Sequence, residues 1–330
     1  MEEVMNPSAE FLKHLTALRR VVLVSHVSPD FDAYSSCAAM RILLEQRGAT
    51  VSIVNADGML DRYSEIPGLG EVHSEFPSDL ENWDGVIVLD CGEEKRVGDA
   101  LVAELSRARV LLNVDHHLSN SGFGTASFVN VNAASTTELV YQIVKSFGAN
   151  LTPDLATAIY MGLSADTGSF KYSSTTGVTL RMAADLVDAG ASPARVSDEI
   201  FGRNSLASVR IHSLALARVE LFADGRGALA YVHAHEMAES GASSDDTEGL
   251  VERLRDIDGV VVACFLRENG EYWKGSLRTS LLDVDVSVIA AEFGGGGHRA
   301  AAGFRTRKAL NQLSPLLVEK LEQALDGPGK

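Results

Sequence analysis

Histidines and aspartates stand in four short clusters of the sequence, each directly after an apolar run. The clusters are His26, Asp30 and Asp32; Asp90; Asp115, His116 and His117; and Asp166. Imidazole and carboxylate groups without cysteine suit a borderline or hard divalent ion, with Mn²⁺ or Mg²⁺ ahead of Zn²⁺. So many carboxylates would repel one another unless cations neutralised them. The clusters therefore predict a metal site, provided that the fold brings them together.

The number of donors bears on the number of ions. The candidate donors are more numerous than the ligands of one tetrahedral ion. Two ions that share a bridging aspartate would use all of them. Paired ions about 3.5–4 Å apart lower the pKa of a bridging water and clamp the attacking and leaving oxygens of phosphoryl transfer. Each residue alone is typical of a turn or cap, but all of them at element ends favour a two-metal phosphoesterase.

The elements that must position these residues alternate between strands and helices. A helix is predicted over Ser36–Leu44, another after the capping-box sequence at Ser135, and a third from Pro153 towards Leu163. The predicted strands of this half are Arg20–Ser25, Thr50–Val54, Gly85–Asp90 and Arg109–Asp115. Continuous apolar strands between helices indicate a mostly parallel sheet that is covered on both faces. Because the carboxyl ends of such strands share one edge, the clusters are expected to meet there.

The length of 330 residues predicts two domains, because single cores stop growing at about 250–300 residues. We expect an α/β catalytic, metal-binding domain over 1–190, a helical connector over 191–220 and a smaller α/β substrate-binding domain over 221–330. A cleft is expected between the two domains. The strands predicted for the second domain are Ala228–Val232, Val260–Leu266 and Tyr272–Arg278, and its helices lie near 247–256, 285–293 and 309–325.

Charge and cysteine content narrow the class of partner. A formal net charge of −16 argues against binding long duplex nucleic acid, which needs a broad basic surface. A small anionic substrate stays compatible, because bound ions reverse the local field. Three cysteines far apart in the sequence favour a reducing cytoplasm over a disulfide framework. No apolar run has the roughly 18 residues of a membrane span. The sequence leaves open whether the protein forms a homodimer.

The motifs resemble those of a known family. In order, Ser25–Asp32, Val88–Asp90, Asp115–His117 and Ser164–Gly168 resemble the four motifs of the DHH phosphoesterase superfamily. The later run Phe293–Gly303 resembles the glycine-rich signature of the DHHA1 domain that accompanies it. A pair of these domains at this length is similar to the nanoRNase group. That group includes bifunctional oligoribonuclease/phosphoadenosine phosphate phosphatases and the related cyclic-di-AMP phosphodiesterases.

The resemblance implies two Mn²⁺ ions, with Mg²⁺ or another divalent ion as a substitute. The implied ligands of the first ion are His26, Asp30 and Asp90. The implied ligands of the second ion are Asp32, Asp90, His116 and Asp166, so that Asp90 bridges. The resemblance further implies that His117 contacts the scissile phosphate, and Asp115 is predicted to orient a ligand histidine.

The predicted substrate-binding residues of the second domain are Arg278, Gly295, Gly296, Gly297 and His298. Glycines let backbone amides approach an anion closely, and the planar fork of an arginine fits two phosphate oxygens. By the resemblance, Arg278 and His298 hold the non-scissile phosphate. Two other charged features are expected to be unremarkable in function: His233 and His235, on one face of a strand end, and the helix face from Glu252 to Asp256.

One departure from the family concerns the first motif, where Phe31, Tyr34 and Ser35 replace smaller residues that are common in the family. Aromatic rings beside the metals would narrow the site or offer a base a stacking surface. The predicted activity is Mn²⁺-dependent hydrolysis of short oligoribonucleotides (nanoRNA) and 3'-phosphoadenosine 5'-phosphate (PAP) by a hydroxide that bridges the two ions. The alternatives are a phosphodiesterase for cyclic-di-AMP and its linear product, and a non-catalytic nucleotide sensor.

Overall fold

The computed structural model describes residues 5–120, 122–202 and 204–327, with His298 described by its backbone alone. The chain folds into two compact units, residues 1–203 and 204–330. The division between them falls inside the predicted connector. The functional assignment of the predicted domains stays a prediction. Among the described residues, none of the helices combines the length and apolar character that crossing a bilayer requires.

The first unit contains a six-stranded sheet in which every strand pair is parallel. Its strands are β1 (Arg20–Val24), β2 (Thr50–Val54), β3 (Val72–His73), β4 (Gly85–Leu89), β5 (Leu111–Asp115) and β6 (Ala126–Val129), in the order β3-β2-β1-β4-β5-β6. Its helices are α1 (Ala9–Ala17), α2 (Phe31–Gln46), α3 (Asp99–Leu105), α4 (Thr136–Ser146), α5 (Pro153–Asp166), α6 (Gly177–Asp188) and α7 (Pro193–Ser197). A π-helical segment, Asp198–Gly202, and short 3₁₀ helices at Asp61–Tyr63, Leu80–Asn82 and Glu94–Val97 complete it.

Both faces of this sheet are buried, which explains why its central strands are apolar throughout. In β1, Val21 and Leu23 pack in the core that contains α2, α4 and α5. Val22 and Val24 pack on the opposite face with residues of α3. The predicted parallel α/β sheet is confirmed, and its strand register aligns the carboxyl ends of β1, β4 and β5.

Local capping fixes where the helices near this edge begin. Asp30 is the N-cap of α2 and accepts a hydrogen bond from the Ala33 N–H at 3.0 Å. Ser135 caps α4 by accepting from the Glu138 N–H at 3.1 Å, as the sequence predicts. Thr152 caps α5, and Pro153 occupies its first turn, where a missing N–H costs nothing.

The second unit is a mixed six-stranded sheet with helices on both faces. Its strands are β7 (Glu220–Phe222), β8 (Gly227–Val232), β9 (Val262–Asn269), β10 (Tyr272–Thr279), β11 (Gly296–His298) and β12 (Ala301–Thr306), in the order β11-β12-β10-β9-β8-β7. Its helices are α8 (Leu206–Leu216), α9 (Ala234–Ser240), α10 (Leu250–Arg255), α11 (Val286–Glu292) and α12 (Leu310–Asp326), with a 3₁₀ helix at Asp245–Thr247. One apolar core includes residues of α11 and α12, and another those of α8 and α10.

Candidate active site

The predicted donor residues of the first unit meet at the carboxyl edge of its sheet, around Asp90. This residue directly follows β4, is 2% exposed and has a left-handed backbone with φ 55°. Its carboxylate lies 3.5 Å from His26 Nε2, 3.6 Å from His116 Nε2 and 3.7 Å from His117 Nδ1. Asp90 is therefore the carboxylate that the imidazoles of the first and third clusters surround.

Three groups of side chains present potential metal ligands, and within each group the donor atoms lie within 4.8 Å of one another. The groups are His26, Asp30 and Asp90; Asp32, His116 and Asp166; and Asp90, His116 and His117. The first has the membership predicted for one ion, and the second contains the remaining predicted ligands of the other ion besides Asp90. The structure brings these residues together, and their coordination of metal stays a prediction.

Asp32 is held by the N-terminus of α4. Its Oδ2 accepts from the Thr136 N–H at 2.6 Å, and its Oδ1 accepts from the Thr137 N–H at 3.1 Å and the Thr137 hydroxyl at 2.9 Å. The positive end of the helix dipole favours a carboxylate at this position. The Thr136 hydroxyl also donates to Asp90 Oδ1 at 2.8 Å, so one helix end positions two carboxylates.

Two histidines are oriented through their Nδ1 atoms. His26 Nδ1 donates to the Val27 carbonyl at 2.8 Å, and His116 Nδ1 donates to the Ala133 carbonyl at 3.3 Å. Each Nε2 therefore faces the carboxylates, and that of His116 lies 3.2 Å from Asp166 Oδ2. Backbone carbonyls that fix the tautomer of a ligand histidine in this way are common around metal ions.

His117 is held differently, by a buried carboxylate. Its Nδ1 donates to Asp115 Oδ1 at 2.7 Å, while Asp115 Oδ2 accepts from Asn120 Nδ2 at 2.7 Å. Asn120 also donates to Asn113 Oδ1 at 2.8 Å. The predicted orienting role of Asp115 thus has a specific partner in the structure, which is His117 and not a histidine of the two predicted ligand sets.

The electrostatics of the cluster suit cations. Burial disfavours a charge on His26, but its hydrogen bond to Asp90 and the Asp90 and Asp30 carboxylates outweigh this and raise its pKa to about 9. Asp30 is exposed as a residue, yet partial loss of water around its carboxyl group and the neighbouring Asp90 and Asp166 raise its pKa to about 6. Burial also acts to raise the pKa of Asp90, yet three imidazoles outweigh it and hold that pKa well below its ordinary value.

The expected aromatic surface beside this site is absent from the described structure. Phe31 is 4% exposed and Tyr34 is fully buried. Both rings pack edge-on against Tyr63, at centroid distances of 4.8 and 5.0 Å, and the Tyr34 hydroxyl donates to the Gly58 carbonyl. The expectation that these rings stack on a base is wrong, because the start of α2 turns them into the core.

In the second unit, Arg278 lies in β10 and contacts an acidic side chain of α10. Its Nε donates to Glu252 Oε1 at 2.8 Å. Glu252 therefore does more than solvate a helix face, contrary to the expectation for this charged stretch. The pair is partly exposed, with 29% and 26% of the two side chains accessible.

The glycine run follows the end of α11 and enters the edge strand β11, which pairs with β12. A Cβ on Gly295 would lie 2.1 Å from the Gly303 carbonyl oxygen, and one on Gly297 would lie 2.6 Å from that of Ala301. These two glycines thus have a packing reason to lack side chains, whereas a Cβ on Gly296 would meet no atom within 4 Å. The predicted role of His298 concerns a side chain outside the described part of the structure.

His233 and His235 do not alternate along a strand as expected, because His233 is the N-cap of α9. Their rings stack at 5.4 Å, and His233 Nδ1 lies 3.1 Å from Glu268 Oε2. Within the part of the chain that the structure describes, these residues join no group of potential metal donors.

Sequence reasoning misses the residues that position the donors. It assigns Thr136 and Thr137 to the start of a helix and gives them no further role. In the structure their hydroxyls donate to the carboxylates of Asp90 and Asp32. Sequence reasoning also passes over Gly162 in α5, yet a Cβ there would lie 2.4 Å from Thr137 Cγ2 and 2.6 Å from Asp32 Oδ1. A glycine inside an apolar helix is the available signal, since it usually has a packing reason.

Known protein families match both units. The model of the DHH family, N-terminal domain, matches residues 20–163, and that of the DHHA1 domain matches residues 225–327. Together with the acidic and imidazole cluster, these matches define the chain as a phosphoesterase, that is, a hydrolase.

Similar proteins extend over nearly the whole chain. The bifunctional oligoribonuclease and PAP phosphatase NrnA of Thermus thermophilus is 30% identical over 328 residues, which cover 99% of this chain and 96% of that protein. The crystal structure of an exopolyphosphatase-related protein from Bacteroides fragilis has a TM-score of 0.88 at 25% identity, covering 94% of this chain and 95% of that one. The protein belongs to the DHH family and carries a DHHA1 domain.

A more distant structure shares the fold. The crystal structure of RecJ in complex with Mn²⁺ from Thermus thermophilus has a TM-score of 0.59 at 14% identity. The match covers 98% of this chain and 56% of RecJ.

Proposed function

We propose that this protein hydrolyses short oligoribonucleotides and PAP with the help of two divalent metal ions, of which Mn²⁺ is the preferred one. The observation that carries the proposal is the meeting of three donor groups at one sheet edge, two of which share the buried Asp90. The name of the Thermus relative, an oligoribonuclease and PAP phosphatase that matches over almost the full length of both chains, supports the choice of substrates.

The donor set fits two divalent ions. His26, Asp30 and Asp90 offer one group of donors, and Asp32, His116 and Asp166 offer a second. Carboxylates with imidazoles and no thiolate suit Mn²⁺ or Mg²⁺, and the RecJ structure that shares this fold was determined with Mn²⁺. Ions held by these groups would supply an activated water and neutralise charge on the phosphoryl oxygens.

The side chains themselves supply positioning and a proton-bearing group. The N-terminus of α4 keeps Asp32 and Asp90 in place through Thr136 and Thr137. Asp115 holds His117 through Nδ1, so His117 would meet the scissile phosphate through Nε2. An imidazole whose other nitrogen is bound to a carboxylate keeps its orientation and stabilises negative charge that develops on the non-bridging oxygens.

In the second unit, Arg278 would hold the non-scissile phosphate of the substrate, assisted by His298 and the backbone of Gly295–Gly297. The Arg278 guanidinium donates to Glu252 and to the Leu277 carbonyl, and its five N–H groups leave further donors for a phosphate. Recognition of one non-scissile phosphate in this way does not require a long nucleic acid. No observation favours cyclic-di-AMP as the substrate.

The test is a product profile on PAP, cyclic-di-AMP and RNA of two to ten nucleotides, with and without Mn²⁺. We expect Mn²⁺-dependent turnover of PAP and of the shorter RNAs. Hydrolysis of cyclic-di-AMP alone would replace this proposal with the phosphodiesterase alternative. Tight binding of PAP without product in Mn²⁺ would indicate a sensor.

The matched variants are Asp90→Asn and Asp154→Asn. Asparagine keeps the size of Asp90 and tolerates its left-handed backbone, so the change removes a charge and little else. Asp154 is an exposed aspartate in the first turn of α5. Asp90→Asn should abolish turnover of PAP while Asp154→Asn retains it, and near-normal activity of Asp90→Asn would refute the two-metal assignment.

A further inference from the structure

Three cationic residues stand side by side on the sheet of the second unit. Lys274 in β10 pairs with Arg267 in β9 on one side and with Arg305 in β12 on the other. Since directly paired residues project to the same face, the three side chains form a row across three strands. We call Arg267, Lys274 and Arg305 the basic row.

The basic row is open to solvent at two of its three positions. Lys274 and Arg305 are exposed, whereas Arg267 is 7% exposed and donates to the Thr247 hydroxyl at 3.4 Å. The Arg305 guanidinium lies 5.4 Å from the ring centre of Tyr272. In the described part of the chain, neither Lys274 nor Arg305 forms an ion pair.

The row is electrostatically unfavourable in the absence of an anion. Like charges directly opposite each other on neighbouring strands are destabilising. Partial loss of water, together with Arg267 and Arg305, lowers the pKa of Lys274, and Glu248 and Asp245 offset this only in part. A chain with a net charge of −16 does not need three adjacent cations for solubility, so their placement points to a ligand.

The basic row shares its face with Arg278. Residues 274 and 278 are four positions apart on β10, which corresponds to about 13 Å at the rise of a strand. Between them lie Ser276 and its partner Gly303, which in turn pairs with Gly296. A Cβ on Gly296 would meet no atom within 4 Å. This stretch of the sheet therefore has small side chains and leaves room for a nucleotide chain.

We propose that the basic row is a second phosphate subsite. It binds the backbone of an oligoribonucleotide that has another of its phosphates at Arg278. This inference rests on the proposed function for its substrate class. The two phosphates of PAP sit on a single ribose, so with one phosphate at Arg278 the other does not reach the row. An oligonucleotide of several residues does reach it, and the row thereby favours such chains over a single nucleotide.

The test measures binding in the absence of turnover. Wild type and the variants Lys274→Gln and Arg305→Gln are titrated, with a metal chelator present, against a labelled pentaribonucleotide and against PAP. The matched control is Arg307→Gln, which removes an equally charged residue whose side chain is 82% exposed and pairs with Glu271 at 3.6 Å.

Each row variant should raise the dissociation constant of the pentanucleotide about tenfold relative to that of PAP, as expected for the removal of a charged hydrogen bond. The salt dependence of pentanucleotide binding should fall by about 0.7 in logarithmic slope for each phosphate that the variant no longer neutralises. The thermal unfolding temperature of the free variants should not fall, because a repulsive neighbour is removed.

An unchanged ratio of the two dissociation constants would overturn the inference, as would an equal effect of Arg307→Gln. So would a lower unfolding temperature that accounts for the weaker binding. Hydrolysis by the wild type is measured separately in Mn²⁺. A wild type that binds the pentanucleotide through the row but hydrolyses neither substrate would refute the proposed function and leave this inference standing.

Discussion

The hydroxyl of Thr136 provides the sharpest test of how the predicted metal ligands are positioned. It donates to Asp90 Oδ1 at 2.8 Å, and both residues are almost completely buried. Thr136→Val keeps the shape of the side chain and removes the hydroxyl. The hydrogen bond from the Thr136 backbone N–H to Asp32 does not involve the side chain, so the variant isolates a single contact to the central carboxylate.

The magnitude follows from that contact. A hydrogen bond to a charged group contributes about 1.5–3 kcal/mol, which corresponds to roughly 10- to 100-fold in an equilibrium constant. Removing an outer partner of a metal ligand typically costs about the same factor in metal affinity. We therefore expect the Mn²⁺ concentration for half-maximal activity to rise about 10- to 100-fold, with a much smaller change in kcat at saturating Mn²⁺.

The assay combines calorimetric titration of the metal-free protein with Mn²⁺ and PAP turnover as a function of Mn²⁺. Thr136→Ser is the matched control, since it retains the hydroxyl and removes only the methyl group. Equal Mn²⁺ affinity of the Val and Ser variants would refute the reasoning. A loss of kcat at saturating Mn²⁺ with unchanged affinity would show that Thr136 acts on the chemistry and not on the placement of Asp90.

Three further predictions concern the same site. Gly162→Ala should lower stability by about 1–3 kcal/mol and weaken Mn²⁺ binding, because the new methyl would lie 2.6 Å from Asp32 Oδ1; thermal unfolding and calorimetry check this, and unchanged values of both would contradict it. Asp115→Asn should lower kcat about 100-fold or more at nearly constant Mn²⁺ affinity, since Asp115 holds His117; steady-state kinetics at saturating Mn²⁺ decide, and wild-type kcat would exclude a role for this pair. Mn²⁺ binding at pH 7 should release protons, because a His26 with a pKa of about 9 is protonated in the metal-free protein and must become neutral to bind. Calorimetry in buffers of different ionisation enthalpy measures that release, affinity should rise with pH up to about 9, and uptake without proton release would disprove it. The raised pKa of His26 also stabilises the folded, metal-free protein. This contribution is complete below pH 6.5 and is lost as the pH rises through about 9.

Much of the first unit could be predicted from its sequence because its strands are buried on both faces. Such strands are nearly continuous apolar runs, so β1, β4 and β5 are visible without any knowledge of the fold. The half-exposed β2 is visible by its β-branched residues. The sequence does not predict the short edge strands β3 and β6, because two to four residues at a sheet edge carry no periodic signal. β12 was missed for a related reason, since its alanines and glycines have little strand propensity.

The convergence of the donors was predictable because the carboxyl ends of parallel strands share an edge. Their support was not, because it depends on contacts between residues far apart in the chain. Asp32 meets Thr136 and Thr137 across more than 100 positions. The direction of the Phe31 ring was likewise undetermined, because a residue at the start of a helix can face either the core or the ligand.

The backbone of Asp90 combines two demands at one position. Its φ of 55° costs most L-residues about 1–2 kcal/mol, whereas aspartate and asparagine tolerate it better and glycine adopts it freely. A descendant released from hydrolysis would relieve this backbone strain by exchanging Asp90 for glycine, while losing the carboxylate that accepts from the Thr136 hydroxyl. Glycine at this position in an otherwise similar protein would thus mark a lineage that has given up turnover.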